Sequence, residues 1–316
     1  MTPRGRFMPL LRQPILAPRG QSLPPSAVAM SGSAAGYDAP PDGMQPPRPS
    51  GYKATMAAAS IQRPGISEDY TGVGTLEVLT SAVKYQSFLT GLLTRASGGP
   101  AAGRLVADFG AGLGTFAGDA RSLGWRVTCV ELDPELRARL RSDGFHAVES
   151  LDELSPQSLD FLFSYNVLEH IEDDAGVVRA FHRVLKPGAP LLIYVPAYAL
   201  LYGPLDRAVG HVRRYRRKAL IELVESAGFT VQACHYSDSI GFAAALVYRA
   251  VGSGQLGERA IKLYDRFVFP ASLRLDYFAR RFFGKNLVLI ARLPEGSGGP
   301  ESPAATGSES AVTAQQ

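Results

Sequence analysis

The stretch LVADFGAGLGTFA, Leu105 to Ala117, constrains this chain more than any other. An apolar run ends in an acid, and Gly110, Gly112 and Gly114 follow at alternate positions before a helix-compatible segment begins. Glycine takes left-handed backbone angles at no steric cost and lets a ligand come close to the main chain. A strand that enters such a turn and leaves it as a helix is the ligand-holding first unit of a doubly wound sheet. Ala111 lies inside the turn and is expected to share its ligand contacts.

The rest of the chain repeats that alternation. RLVADF, RVTCVEL, SLDFLFSYN, APLLIYVPA, TVQACHYS and KNLVLIARL read as strands, with helices predicted for TFAGDARSLG, DPELRARLRSDG, DDAGVVRAFHRVLKPG and RRKALIELVESAGF. A further helix is expected over 75–96, ahead of the first strand. Strands separated by helices imply an α/β fold with a mainly parallel sheet covered on both faces. Between the last two strands a tight connection would suffice, yet residues 238–284 intervene as a helical insertion. Its first part, SIGFAAALVYRAVG, is strongly apolar, and GERAIKLYDRFVFPASLRLDYFARRFFG alternates basic and aromatic residues at helical spacing. Core packing or a homodimer contact explains such a pattern. So does a surface that admits a greasy substrate or makes peripheral contact with an anionic membrane.

With 316 residues and 46% hydrophobic content the chain can bury a substantial core. Residues 1–50 and 294–316 are rich in Pro, Gly, Ala and Ser without apolar periodicity and are expected to be disordered. That leaves a folded body over 70–293. Arg4, Arg6, Arg12 and Arg19 superficially suggest a transit peptide, but the prolines among them would break an amphipathic helix. No stretch is long enough to cross a bilayer, so a cytoplasmic protein is expected. Cys129 and Cys234 lack metal-site spacing and read as buried reduced thiols.

The turn also selects its ligand. Its glycines follow GxGxG rather than the dinucleotide pattern GxGxxG, and Asp108 precedes them by two residues. A carboxylate there repels a pyrophosphate and attracts a cationic group. No Gly-Lys-Ser/Thr follows, which excludes a phosphate-binding P-loop. Glu131 ends the second strand at about the twenty-residue offset where an acid accepts hydrogen bonds from ribose hydroxyls. The ligand should be a positively charged nucleoside.

Beyond these residues, VADFGAGLG, VTCVELDPEL, LDFLFSYNVLEHIEDD and RVLKPGAPLLIYVPA resemble the successive motifs of class I S-adenosylmethionine-dependent methyltransferases. The resemblance implies a Rossmann-like, seven-stranded sheet and the cofactor S-adenosyl-L-methionine. It places Asp108 and the Gly110 to Gly114 turn at the methionine moiety, Glu131 at the ribose and Leu132 beside the adenine. Glu149 or Ser150 would lie near the adenine amino group, with Asp152 and Glu153 as neighbouring alternatives, and Asn166 near the amino-acid end. A narrower likeness is to a subgroup that pairs NVLEHIEDD with a segment reading VPAYALLYGPLDRAVGHVRRYRRKAL here, followed late by FGKNL. NVLEHI also resembles the ubiquinone-pathway O-methyltransferases.

Such a protein is expected to methylate a small-molecule or lipid-like acceptor, at oxygen. Histidine is the usual base for a hydroxyl nucleophile, and His211 and His170 are the candidates. The alternatives are that His211 bonds Asp206 as part of a lid and that His170 orients its loop. Arg213 and Arg214, with Tyr202, Asp206 and Tyr215, are candidate substrate contacts. The arginines crowd a helix N-terminus, where cations are disfavoured unless something negative compensates. That something is an anionic group on the acceptor or internal acids such as Asp173 and Asp174. No aromatic stacking platform accompanies the basic run, so nucleic acid is not expected. Glu169 and His170 could serve as metal ligands, but without diagnostic spacing no metal is expected. The alternative functions are a regulatory cofactor-binding protein and an NAD-dependent oxidoreductase on a similar fold.

Overall fold

The computed structural model describes residues 81–99, 101–251 and 258–296. The expected disordered segments, 1–50 and all but the first residues of 294–316, lie outside them, as do residues 75–80 of the first expected helix. Seven strands form one sheet: β1 (Leu105–Phe109), β2 (Arg126–Val130), β3 (His146–Val148), β4 (Phe161–Tyr165), β5 (Pro190–Pro196), β6 (Thr230–Ser237) and β7 (Asn286–Arg292). Their order is β3-β2-β1-β4-β5-β7-β6. Neighbours are parallel except at β7, which runs antiparallel to both β5 and β6. The chain steps outward from β1 to β3 and then returns to lay β4 on the other side of β1. The reversal therefore falls between β1 and β4, where open α/β sheets bind their ligands.

Every residue of β4 and β5 is buried. Strands covered on both faces are apolar throughout, which is why these two were the plainest in the sequence. Alternation sorts the side chains. Leu162 joins Phe109, Ile193 and Leu289 on one face, whereas Phe161, Phe163 and Tyr165 turn to the other. The first face is closed by Val177 and Phe181 of α4 (Asp174–Val184) and by Leu220 and Val224 of α6 (Arg217–Ser226). The second is closed by Leu89, Leu92 and Leu93 of α1 (Val83–Ser97) and Ala120 of α2 (Thr115–Ser122). Toward the β3 edge, Leu140 of α3 (Pro134–Ser142) packs on Cys129 and Ala147. Asp133 caps α3 as its Asp-Pro start suggests, accepting from the amides of Glu135 and Leu136. Both cysteines are free thiols.

The insertion is helical: α7 (Ser239–Val251), α8 (Glu258–Leu263), a π-helical turn (Tyr264–Val268) and α9 (Phe269–Ala279), with the short α5 (Pro204–Ala208) earlier in the chain. Two buried acids brace it, one within the insertion and one onto the body. Asp276 accepts from the amides of Asp238 and Ser239 at 2.7 and 2.9 Å. Asp265 accepts from those of Lys84 and Tyr85 at 2.9 and 2.8 Å, so the insertion supplies the N-terminal cap that α1 lacks on its own. Among the described residues no helix is long and apolar enough to cross a membrane.

Candidate active site

Phe109 of β1 pairs with Ser164 of β4, so the residues that leave these strands, Gly110 and Asn166, emerge side by side. Gly110, Gly112 and Gly114 all have left-handed φ angles, +78°, +54° and +76°. The amides of Gly110 and Ala111 donate to Val130 O at 2.8 and 3.3 Å, which folds the turn back over the end of β2. At Gly110 the turn touches the loop after β4: a Cβ there would stand 2.3 Å from Val167 Cγ2.

Two carboxylates bracket the turn. Asp108 is 3% exposed and its Oδ2 has no hydrogen-bond partner in the protein. Burial pushes its carboxyl up to about 8, the nearby Glu131 charge adds to the rise, and the Ala117 amide opposes it. Glu131 accepts from Gly112 N at 2.7 Å and from Asp133 N at 2.9 Å, one backbone donor on each oxygen. Each oxygen keeps a lone pair for a ligand hydroxyl. Leu132 follows, its carbonyl held with that of Glu131 by Arg137, whose other nitrogen lies 3.5 Å from Glu149. Ser150 caps the turn at Leu151–Glu153, accepting from Asp152 N, while Glu153 binds back to the amides of Glu149 and Ser150. A buried unpartnered carboxylate oxygen beside a bare-backbone turn suits a cationic nucleoside and is hostile to a diphosphate. The donor set fits S-adenosyl-L-methionine.

Asn166 begins the second half of the site. It adopts a left-handed φ of +53°, and its Nδ2 donates to Tyr85 Oη at 3.3 Å. Tyr85 was not singled out in the sequence, because a tyrosine on a helical stripe reads as core. It is core: its ring meets Tyr194 and Phe269 edge-on, and burial pushes its hydroxyl up to about 12.

The residues NVLEHIEDD and GHVRRY, far apart in sequence, are stitched together. Val212 N donates to Glu169 O at 2.8 Å. Arg213 binds Asp174 at 2.6 Å and the Glu172 carbonyl at 2.8 Å, and the Tyr215 hydroxyl donates to the same Asp174 oxygen at 2.8 Å. Arg214 Nε donates to Asp206 Oδ1 at 2.7 Å. Both arginines are thus paired with carboxylates inside the protein, the internal compensation that stood as the alternative to an anionic acceptor. Tyr202 donates its hydroxyl to the His211 carbonyl at 2.7 Å, a positioning contact within the segment.

Asp206, 2% exposed, is the hub. Its Oδ1 lies 2.8 Å from His211 Nδ1, and its Oδ2 accepts from Gly203 N. Burial works against its ionisation, but hydrogen bonds from His211 and Arg214 outweigh that and hold the carboxyl below its usual range. The His170 ring stands edge-on to that of His211, centroids 4.6 Å apart. Burial, with His211 nearby, pulls His170 down to about 4, so it is neutral and weakly basic. Glu169 is fully buried, and neither carboxyl oxygen has a hydrogen-bond partner. Burial pushes it up to about 8, with Asp206 adding to the rise and Arg214 opposing it. Glu169 Oε1 is 3.8 Å from His211 Nε2. One ligand atom from each of Glu169, His170 and His211 lies within 4.8 Å of the others, a set able to hold a metal ion. The sequence hid this set because two members are adjacent and the third is 41 positions away in a different segment.

A doubly wound sheet with an acid-flanked glycine turn at its reversal point defines a nucleoside-binding α/β domain. A family model described as a methyltransferase domain matches residues 82–233. The matched residues are those of a methyltransferase domain, and the similarities together support a class I S-adenosylmethionine-dependent methyltransferase with S-adenosyl-L-methionine as its cofactor. It is 33% identical over 102 residues to a ubiquinone biosynthesis O-methyltransferase of Xanthomonas oryzae, covering 29% of this chain and 43% of that protein. It is 29% identical over 165 residues to a Mycolicibacterium smegmatis protein named for S-adenosylmethionine-dependent methyl transfer, covering 50% of this chain and 60% of the other. Among solved structures, an S-adenosylmethionine-dependent methyltransferase from Archaeoglobus fulgidus aligns at 18% identity with a TM-score of 0.45, over 66% of this chain and 94% of its own. The chain spans less than half the length of the ubiquinone O-methyltransferases it matches.

Proposed function

We propose that this protein transfers a methyl group to an oxygen nucleophile on a small-molecule or lipid-like acceptor, with His211 as the base. The observation that carries the reading is the 2.8 Å contact between His211 Nδ1 and Asp206 Oδ1. Asp206 holds the Nδ1 proton, which leaves the Nε2 lone pair to take a proton from the acceptor hydroxyl. The buried aspartate charge then stabilises the imidazolium, as in other carboxylate-histidine pairs. His170, pulled down to about 4, is a poor competitor for that proton and serves to pack and orient His211. Asp108, the Gly110 to Gly114 turn and Glu131 hold the cofactor, which when bound supplies an electrophilic sulfonium methyl. Asn166, fixed by Tyr85, marks the cofactor's amino-acid end. Oxygen as the target draws support from the name of the Xanthomonas relatives.

The acceptor is found by incubating extracts with methyl-labelled cofactor and weighing the products by mass spectrometry. With that acceptor, His211→Ala is expected to lower kcat by about 10² to 10⁴-fold while calorimetry shows cofactor binding unchanged. Undiminished turnover removes His211 as the base. A second reading rests on the two buried oxygens of Glu169, neither with a hydrogen-bond partner: a divalent cation held by Glu169, His170 and His211 would position the acceptor instead. Under that reading chelation abolishes turnover and metal restores it, whereas the base reading expects full activity after chelation. Cofactor binding with no methylated product from any extract would favour a regulatory protein.

A further inference from the structure

From Arg259 to Lys285 the chain contains many basic residues and only two acids, Asp265 and Asp276. Both acids point inward, 6% and 7% exposed, and are spent on the caps of α1 and α7. With Phe269, Ser272 and Ala279 they form the buried stripe of the helical run, at steps of three and four. From Arg259 to Lys285 the opposite face therefore carries no carboxylate of its own.

That outer face is aromatic. Phe267 is 60% exposed, Tyr277 66%, and Phe278 and Phe282 each 72%. Single exposed apolar residues are ordinary, but four large rings within one short stretch mark a contact surface. Exposed arginines lie among them: Arg266, its guanidinium 5.3 Å from the Phe267 ring, then Arg274 and Arg281. Arg274 and Phe278 stand four apart on α9, Leu263 and Phe267 precede them at and within the π-helical turn, and Phe282 follows in the turn after α9, so rings and cations share one exposed stretch.

We infer that this face of the insertion seats the protein on an anionic lipid bilayer. Aromatic rings bury at the headgroup level while arginines on the same stretch meet lipid phosphates, the combination that holds an amphipathic helix in the interface. A second copy of the chain is the poorer occupant. A two-fold contact would oppose arginines to arginines with no acid between Arg259 and Lys285 on either face to receive them. The inference does not depend on the acceptor or on the base, since lipid binding is read without cofactor.

The test is co-sedimentation of the full chain with vesicles of phosphatidylcholine alone and of phosphatidylcholine with phosphatidylglycerol in equal parts. Strong binding is expected only to the anionic vesicles, weakening as salt rises. Replacing two cations, Arg274→Gln with Arg281→Gln, lowers the partition coefficient about thirtyfold, from about 1 kcal/mol per basic residue at an anionic surface. Phe278→Ser with Phe282→Ser also lowers it, leaving a residual, salt-sensitive attraction. Calorimetry with S-adenosylmethionine checks that each variant is folded. Equal binding to both vesicle types, or undiminished binding of both double variants, overturns the proposal. So does a dimer in sedimentation velocity that the phenylalanine pair abolishes while vesicles fail to bind.

Discussion

Gly110→Ala raises the dissociation constant for S-adenosylmethionine by about a hundredfold or more, measured by calorimetry. Two costs add. At φ +78° an L-residue is strained by about 1–2 kcal/mol. The new Cβ would also stand 2.3 Å from Val167 Cγ2 and 3.0 Å from Cγ1. Overpacking of that kind costs about 1–3 kcal/mol, and the side chain that must yield belongs to the loop carrying Asn166, Glu169 and His170. The damage therefore reaches both halves of the site. A second substitution separates the two costs: Val167→Ala in the Gly110→Ala background removes the two γ-methyl collisions, leaving a close contact of 3.2 Å to the Cβ of residue 167 and the backbone strain. Partial recovery is expected, with a non-additive interaction between the two positions. A Gly110→Ala protein that binds as the parent does would mean that the turn is a packing device only.

The same contact shows which parts of the molecule were legible in the sequence. The turn, the fully buried strands β4 and β5 and the Asp-Pro start of α3 announce themselves through local chemistry. The edge strand β3 did not, since His146, Ala147 and Val148 are too few to display a period; the expectation of seven strands came through the family resemblance. The antiparallel β7 was out of reach, because its partner choice depends on where the insertion returns the chain. At the site, the acids proposed to hold the cofactor lie within a turn or strand end and could be read directly. The pairings of Arg213 with Asp174 and of Arg214 with Asp206 are tertiary, and Arg213 lies 39 positions from its partner. Charge crowding in the sequence raised the question of what compensates the arginines, and the fold answers it with buried carboxylates. Tyr85 and Asp265 were silent for a related reason: Tyr85 works on Asn166, 81 positions away, and Asp265 on the start of α1, 180 positions away.

The second large effect is a pH dependence of cofactor affinity, and its sign follows from Asp108. Burial raises its carboxyl to about 8 in the free protein, so below that pH the group carries a proton. A cationic ligand favours the ionised form, and binding below about pH 8 must expel that proton. Affinity for S-adenosylmethionine is therefore expected to rise about tenfold per unit from pH 6 to 8 and to level above it, about a hundredfold in all. The linkage runs the other way for the free protein. A carboxyl raised from 3.8 binds its proton more tightly folded than unfolded, so its contribution to stability is full below about pH 4 and lost as pH climbs toward 8. The ligand's own amino group titrates in part of this window, so the slope must be read as the difference between the parent and Asp108→Asn, which keeps the shape and cannot ionise. Glu131→Gln supplies the internal control. It removes the neighbouring charge that helps raise Asp108, and should shift the break in the affinity profile to lower pH. A profile for the parent that superimposes on that of Asp108→Asn from pH 6 to 9 would show that the carboxylate does not feel the cofactor's charge, and with it the selection of a cationic nucleoside over a diphosphate would lose its physical basis.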